Sequence, residues 1–191
     1  MKKLFAFVFL LLLAACKPAK ESTPFVGTDI TGADFAKTLS LTDHTGKLRS
    51  MADFKGKVVV LFFGFTHCPD VCPTTMSDLK NTMQLLGDQS NAVQVLFVTV
   101  DSERDTQEVL AKFVPSFDAR FIGLRGNAQA TAETLSNFKI FYAKVDGKST
   151  NDYSIDHSAG MYVFDKLGKI RLYLSYGQKP AEIASDIKKL L

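Results

Sequence analysis

The chain has 191 residues, 46% of them apolar, which suits one domain with a full core. Its 23 Lys and Arg against 20 Asp and Glu leave a net charge of only +3, so composition implies no nucleic-acid partner. No apolar run reaches the roughly 20 residues that a membrane-spanning helix needs.

Lys2 and Lys3 precede an uncharged apolar run over residues 4–15, the length of a signal-peptide core. It ends in Leu13-Ala14-Ala15-Cys16, which resembles the bacterial lipobox, where the cysteine is diacylated and becomes the first residue of the mature chain. An ordinary secretory signal cut near the same alanines is the alternative, and both place the domain outside the cytoplasm. The expected organisation is a lipoprotein signal peptide over 1–15, lipidated Cys16 with a flexible tether to 24, and one domain over 25–191. The tether is polar, holds two prolines and has no apolar pattern.

Residues 39–49 alternate around Asp43-His44-Thr45-Gly46, a turn signal that predicts a hairpin. Residues 58–65 are continuously apolar, β-branched and aromatic, the mark of a central strand buried on both faces. Met76, Leu79, Met83 and Leu86 follow helical spacing, and residues 93–100 predict a second buried strand. Asp105 with Glu108 predicts a helix start, with Val109, Leu110, Phe113 and Val114 on the apolar face and Pro115 as the stop. A short strand is expected over 121–124, then a helix capped by Asn127 with Thr131, Leu135 and Phe138 on one side. Residues 161–164 and 170–176 bracket Asp165-Lys166-Leu167-Gly168 as a hairpin, and Pro180 opens a last helix with Ile183, Ile187 and Leu190 inward. Residues 141–156 are polar and without clear period, and read as a loop that leads into His157 and could move it. Strands alternating with helices give an α/β domain with a mixed sheet flanked by helices. The order matches a thioredoxin-like fold with an added N-terminal β-hairpin.

Of the three cysteines, Cys16 is taken by lipid on the lipobox reading, leaving Cys68 and Cys72. A disulfide between them closes a very small loop and constrains the unfolded chain little, so a functional thiol pair explains them better than a staple. They lie in Phe65-Thr66-His67-Cys68-Pro69-Asp70-Val71-Cys72-Pro73, between the end of the buried strand and the next helix. Sites in open α/β sheets collect at the carboxyl ends of strands. Pro73 fits the first helical position, which puts Cys72 near the N-cap, where backbone N–H groups and the helix dipole favour a thiolate. The pair is therefore expected to deprotonate readily.

Thioredoxin-type oxidoreductases carry two residues between their cysteines, and this chain carries three. Two thiolates on that wider loop can face one ion; soft sulfur favours Cu(I), with zinc the competitor, and a third ligand is needed. His44, in a predicted turn, is expected at the surface. His67 adjoins Cys68, but neighbouring side chains on a strand point to opposite faces, which makes it the weaker candidate. His157 is the sharper one. In thioredoxin-like proteins a cis-proline faces the cysteines just before the equivalent of Tyr162-Val163-Phe164-Asp165; here Ala159 takes that place, with His157 two residues upstream. A loop histidine held by hydrogen bonds is the alternative.

Cys68-Pro69-Asp70-Val71-Cys72-Pro73 after Phe65-Thr66-His67 resembles the signature of the Sco/SenC family of copper chaperones. Val100-Asp101-Ser102-Glu103-Arg104-Asp105-Thr106 resembles its second block and Asp156-His157-Ser158 its third, and the resemblance runs over residues 25–191. It implies a thioredoxin-like domain held at a membrane, with Cys68 and Cys72 as thiolate ligands of copper and as a redox-active pair, and His157 as the imidazole ligand. The implied work is assembly of the dinuclear copper centre of cytochrome c oxidase, by delivering copper, by reducing the acceptor's cysteines, or both. The implied partners are a copper-accepting oxidase subunit or another copper protein, and an extracytoplasmic thiol reductant. Asp70 is a candidate for supporting the ligands or for weak ligation of Cu(II), against a solvated loop carboxylate. Asp156 is a candidate for orienting His157 through its other ring nitrogen. Asp101 and Arg104 are expected to pair, structurally or in docking. Gln107 departs from the proline frequent there in the family. The alternative function is a thiol–disulfide oxidoreductase with Cys68 as the attacking thiol. A peroxide reductase fits less well, since no constellation of the peroxiredoxin type precedes Cys68.

Overall fold

The computed structural model describes residues 24–147 and 153–191. The main strands in chain order are β1 (Thr28–Asp29), β2 (Ser40–Asp43), β3 (Leu48–Ser50), β4 (Val58–Gly64), β5 (Val93–Thr99) and β6 (Ile122–Arg125). They continue with β7 (Tyr142–Asp146), β8 (Tyr153–His157), β9 (Met161–Phe164) and β10 (Ile170–Leu174). The helices are α1 (Val71–Leu86), α2 (Gln107–Phe113), α3 (Ala128–Asn137) and α4 (Pro180–Leu190).

β4 and β5 are buried along their whole length, as their unbroken apolar sequences require. They pair in parallel from Val58 opposite Val93 to Gly64 opposite Thr99. β6 extends the parallel set beyond β5, and β9 closes the other side of β4 in antiparallel register. The whole sheet runs β1-β10-β9-β4-β5-β6-β2-β3. Alternation along β4 sends Phe62 to one face, 6.1 Å from Phe97, which in turn meets Phe113 of α2. Phe63 goes to the other face and meets Phe138, just past α3, edge to face at 5.3 Å. α1 packs on α4, with the Thr82 hydroxyl donating to the Pro180 carbonyl at 3.5 Å.

The predicted hairpins appear as β2–β3 and β9–β10, and Asn127 caps α3 by accepting from the Ala130 N–H at 2.8 Å. Two expectations are corrected. The cap of α2 is Thr106, whose hydroxyl accepts from the Val109 N–H, and the helix opens at Gln107, a first-turn position that suits proline elsewhere. Asp105 is buried because its carboxylate is taken by Thr66 and Thr99. The loop expected over 141–156 is, in its described parts, two strands; residues 148–152 lie outside the described residues. β7 and β8 form a separate two-stranded antiparallel sheet in which Tyr142 faces His157. Only Ile155 of these two strands is buried, so the pairing rests on backbone hydrogen bonds and leaves no apolar period in the sequence.

Candidate metal and thiol site

The chain leaves β4 at Gly64 and enters α1 at Val71, with Asp70 in the N-cap position and no side-chain cap. A Cβ on Gly64 would stand 2.9 Å from the Cys72 sulfur and 2.9 Å from the Phe97 ring, so only glycine lets the helix start this close to the strand end. Cys72, the second residue of α1, stands near the N-cap as expected, while Pro73 is the third helical residue and not the first. The Cys72 side chain is fully buried, while Cys68 is half-buried, and both are free cysteines. The Cys68 sulfur accepts the Cys72 backbone N–H at 3.4 Å.

Burial pushes the Cys72 thiol well above the ordinary cysteine value, and a backbone hydrogen bond from Phe65 lowers it too little to compensate. Burial thus opposes the ready thiolate expected at Cys72. Any ion bound there displaces a proton.

β8 brings His157 to the same place from 85 residues away. Its Nε2 stands 3.7 Å from the Cys72 sulfur. Its Nδ1 stands 2.9 Å from the Ser158 carbonyl oxygen. A carbonyl only accepts, so Nδ1 carries the hydrogen and the Nε2 lone pair faces the sulfur. Burial holds the imidazole pKa below its ordinary value, which keeps the ring neutral at neutral pH. The ring is steadied edge to face by Phe65 at 5.9 Å and Phe62 at 6.4 Å.

This donor set suits a soft metal. Sulfur and nitrogen bonded to one ion at about 2.3 and 2.0 Å, with tetrahedral to trigonal angles, stand about 3.5–3.7 Å apart. Cys72 and His157 already have that separation. Among the described residues no three His, Cys, Asp or Glu side chains stand together as a metal-holding group. Cys68 lines the same cleft of about 270 Å³ as His157, Ala159 and Phe141.

The remaining candidates separate cleanly. His67 is 54% exposed and leans on the Thr66 hydroxyl at 3.2 Å, away from the pair. His44 is half-buried, contrary to expectation, because its Nδ1 accepts the Gly123 N–H at 3.0 Å. Asp70 is exposed and accepts from the Thr74 hydroxyl at 3.2 Å. Asp156 is exposed and does not orient His157; the Ser158 carbonyl occupies the nitrogen that role requires. Cys16 lies outside the described residues.

The roles of Asp105 and Tyr153 in shaping the site are not legible in the sequence. Asp105 accepts from the Thr66 N–H at 3.0 Å and the Thr66 and Thr99 hydroxyls at 2.6 Å each, pinning the start of the cysteine loop to the end of β5. Tyr153 donates its hydroxyl to Asp101 at 2.8 Å, and the Arg104 guanidinium, paired with Asp101, lies 3.6 Å over its ring. Arg104 also donates to the Tyr153 carbonyl at 2.8 Å. The expected Asp101–Arg104 pair therefore clamps β8, and through it His157. Removing the hydroxyl with Tyr153→Phe is expected to speed amide hydrogen exchange along β8 about tenfold, the equivalent of about 1.4 kcal/mol. Exchange measured by mass spectrometry checks it; unchanged β8 rates would exclude the clamp.

The fold and the strand-end site define a thioredoxin-like α/β protein that sets a spaced cysteine pair beside a neutral histidine. Residues 27–191 match the SCO1/SenC family, and the chain belongs to it. It is 36% identical over 152 residues to the mitochondrial protein SCO2 homolog of Bos taurus, covering 78% of this chain and 57% of that protein. It is 34% identical over 158 residues to the SCO2-like protein of Rickettsia felis, covering 82% and 75%. The chain thus spans little more than half the length of its mitochondrial relatives. Among solved structures, ScoI of Bradyrhizobium japonicum with copper bound is 34% identical, with a TM-score of 0.75 over 81% of this chain and 98% of that one. A SCO1/SenC family lipoprotein from Bacillus anthracis is 27% identical, with a TM-score of 0.68 over 81% and 93%.

Proposed function

We propose that the protein is a copper chaperone that holds copper between the thiolates of Cys68 and Cys72 and the imidazole of His157. The observation that carries this is the 3.7 Å approach of the His157 Nε2 lone pair to the Cys72 sulfur, beside Cys68 in one cleft. Its similarity to a ScoI solved with copper bound supports the choice of metal. Loading exchanges the thiol protons for the ion; release needs an acceptor that reaches the half-exposed Cys68 side of the cleft. The acceptor is the copper-receiving subunit of cytochrome c oxidase or another copper protein, as the family resemblance implies.

The same dithiol can reduce an acceptor disulfide. Two electrons and two protons then pass to the acceptor, Cys68 and Cys72 close a disulfide, and an extracytoplasmic thiol reductant must reopen it. A purely enzymatic oxidoreductase is less favoured, because the neutral histidine spends its free nitrogen on the buried sulfur and not on the half-exposed Cys68. Metal analysis of the reduced, purified protein tests the reading. Stoichiometric copper retained in preference to zinc is expected; retention of neither metal, or of zinc alone, would overturn it.

The protein is proposed to work outside the cytoplasm, tethered through acylated Cys16 after removal of residues 1–15, with residues 25–191 as the copper-binding domain. The lipoprotein nature of the Bacillus anthracis relative supports this. Among the described residues no helix is long and apolar enough to cross a membrane. Cys16→Ser is expected to leave the protein unacylated by intact mass and to shift it from the membrane to the soluble or unprocessed fraction. Normally processed, membrane-bound Cys16→Ser would reject the anchor.

A further inference from the structure

The pole of the domain opposite the cysteines carries a surface that the copper reading does not use. β4 runs for about 20 Å between the two poles, from Lys57 at its start to the cysteine loop beyond its end. The β9–β10 turn lies beside that start, because Phe164 pairs with Val59. Hydrogen bonds join four segments there. The Gly56 N–H donates to the Lys166 carbonyl at 2.9 Å, the Lys166 ammonium donates to the Leu191 carbonyl, and the Lys189 ammonium donates to the Pro24 carbonyl at 2.9 Å.

At the tip of this turn Leu167 is 71% exposed, an apolar side chain with no core to enter. The turn is stiff, since Asp165 accepts the N–H groups of Leu167 and Lys169 at 2.9 and 3.0 Å. Among the described residues Lys55, Lys57, Lys169 and Lys188 make no ion pair. The acidic groups nearby are committed: Asp165 to the turn and to Arg171 at 3.6 Å, Asp34 to Lys37, and Asp53 to Ser50. A concavity of about 600 Å³ opens beside the turn, with Phe35 and Ile170 among its apolar walls and Lys37, Lys169 and Arg171 among its cations. A protruding leucine among free lysines is the chemistry of shallow insertion into an anionic bilayer surface.

We propose that this pole, centred on Leu167 with Lys55, Lys57, Lys169 and Lys188, rests on anionic phospholipid and so points the copper cleft away from the membrane. The orientation rests on the proposed anchor at Cys16: the eight residues from there to Pro24 can reach at most about 29 Å, and Pro24 is tied to the last turn of α4 at this same pole. The surface chemistry does not depend on that anchor.

The chain contains no tryptophan, so Leu167→Trp in the full chain is a sole tryptophan that can be excited apart from the tyrosines. It is to be compared with Phe141→Trp at the mouth of the cleft, using vesicles of brominated phosphatidylglycerol or brominated phosphatidylcholine. Emission of Leu167→Trp is expected to fall by roughly half or more in the anionic vesicles and to recover in about 1 M salt. Phe141→Trp should stay unquenched, and adding Lys55→Glu, Lys57→Glu and Lys169→Glu should remove the quenching at Leu167→Trp. No quenching of Leu167→Trp, equal quenching in both lipids, or equal quenching of both reporters would overturn the proposal. Intact mass separates the two ideas: unacylated Cys16 refutes the anchor, while quenching of Leu167→Trp by the anionic vesicles still upholds this surface.

Discussion

Oxidation of Cys68 and Cys72 to a disulfide is expected to abolish tight Cu(I) binding. Both sulfurs must be free and deprotonated to ligate, and the structure makes the buried one the harder to ionise: Cys72 is fully enclosed and its thiol is pushed upward by burial. A bound ion must displace its proton and offset that desolvation, so affinity should rise with pH and depend on the reduced state together. Loss of an outer partner of a metal ligand already costs roughly 10–100-fold, and loss of both sulfurs should exceed that range. Competition against a Cu(I) chelator, on protein whose oxidation state is fixed by intact mass, gives the measurement. Unchanged affinity in the oxidised protein would reject Cys68 and Cys72 as the ligands. Cys72→Ser should match the disulfide in copper affinity and also destabilise the fold by about 1–3 kcal/mol, because a hydroxyl replaces a sulfur in an apolar enclosure. Cys68→Ser, at a half-exposed position, should lose copper with little change in stability.

His157→Ala is expected to weaken Cu(II) binding by more than about 100-fold while leaving the dithiol able to exchange with disulfides. The substitution removes the one nitrogen facing the Cys72 sulfur and leaves both cysteines in place. Cu(I) can persist between two soft sulfurs, whereas Cu(II) depends more on imidazole nitrogen, so the loss should be larger for the oxidised ion. A protein whose work is only thiol exchange predicts the reverse, with copper uptake indifferent to the histidine. Both quantities are to be measured on one preparation. Should His157→Ala bind Cu(I) and Cu(II) as tightly as the parent while the cysteine variants do not, His157 is not a ligand and the site rests on the cysteines alone. The packing of the ring against Phe62 and Phe65 makes a thermal-unfolding control necessary, since alanine leaves a void there.

The parts of the fold that were legible in the sequence are those whose cause is local. Residues 58–64 and 93–99 are apolar at every step, and a strand covered on both faces is the structure that such a run satisfies. Asn127 and Pro180 carry their helix starts in their own covalent chemistry. The spacing of Cys68 and Cys72 is likewise written in the chain, and their place at a strand end follows from the apolar run before them.

What only the tertiary structure decided is how distant groups share their partners. Asp105 looked like a helix cap because caps are recognised by residue type, yet its carboxylate was claimed by Thr66 and Thr99 across the fold, and Thr106 took the cap. β7 and β8 were invisible because backbone pairing, with only Ile155 inward, leaves no periodic signature. The ionisation of Cys72 follows the same logic: the helix start that favours a thiolate is local, but the burial that opposes it depends on the whole fold. Sequence named His157 as a candidate, and its approach to Cys72, its tautomer and its neutrality came from β8, the Ser158 carbonyl and the surrounding phenylalanines. Residue type and spacing determine which groups are able to bind a metal; burial and competition for hydrogen bonds, which depend on the whole chain, determine in what state they meet.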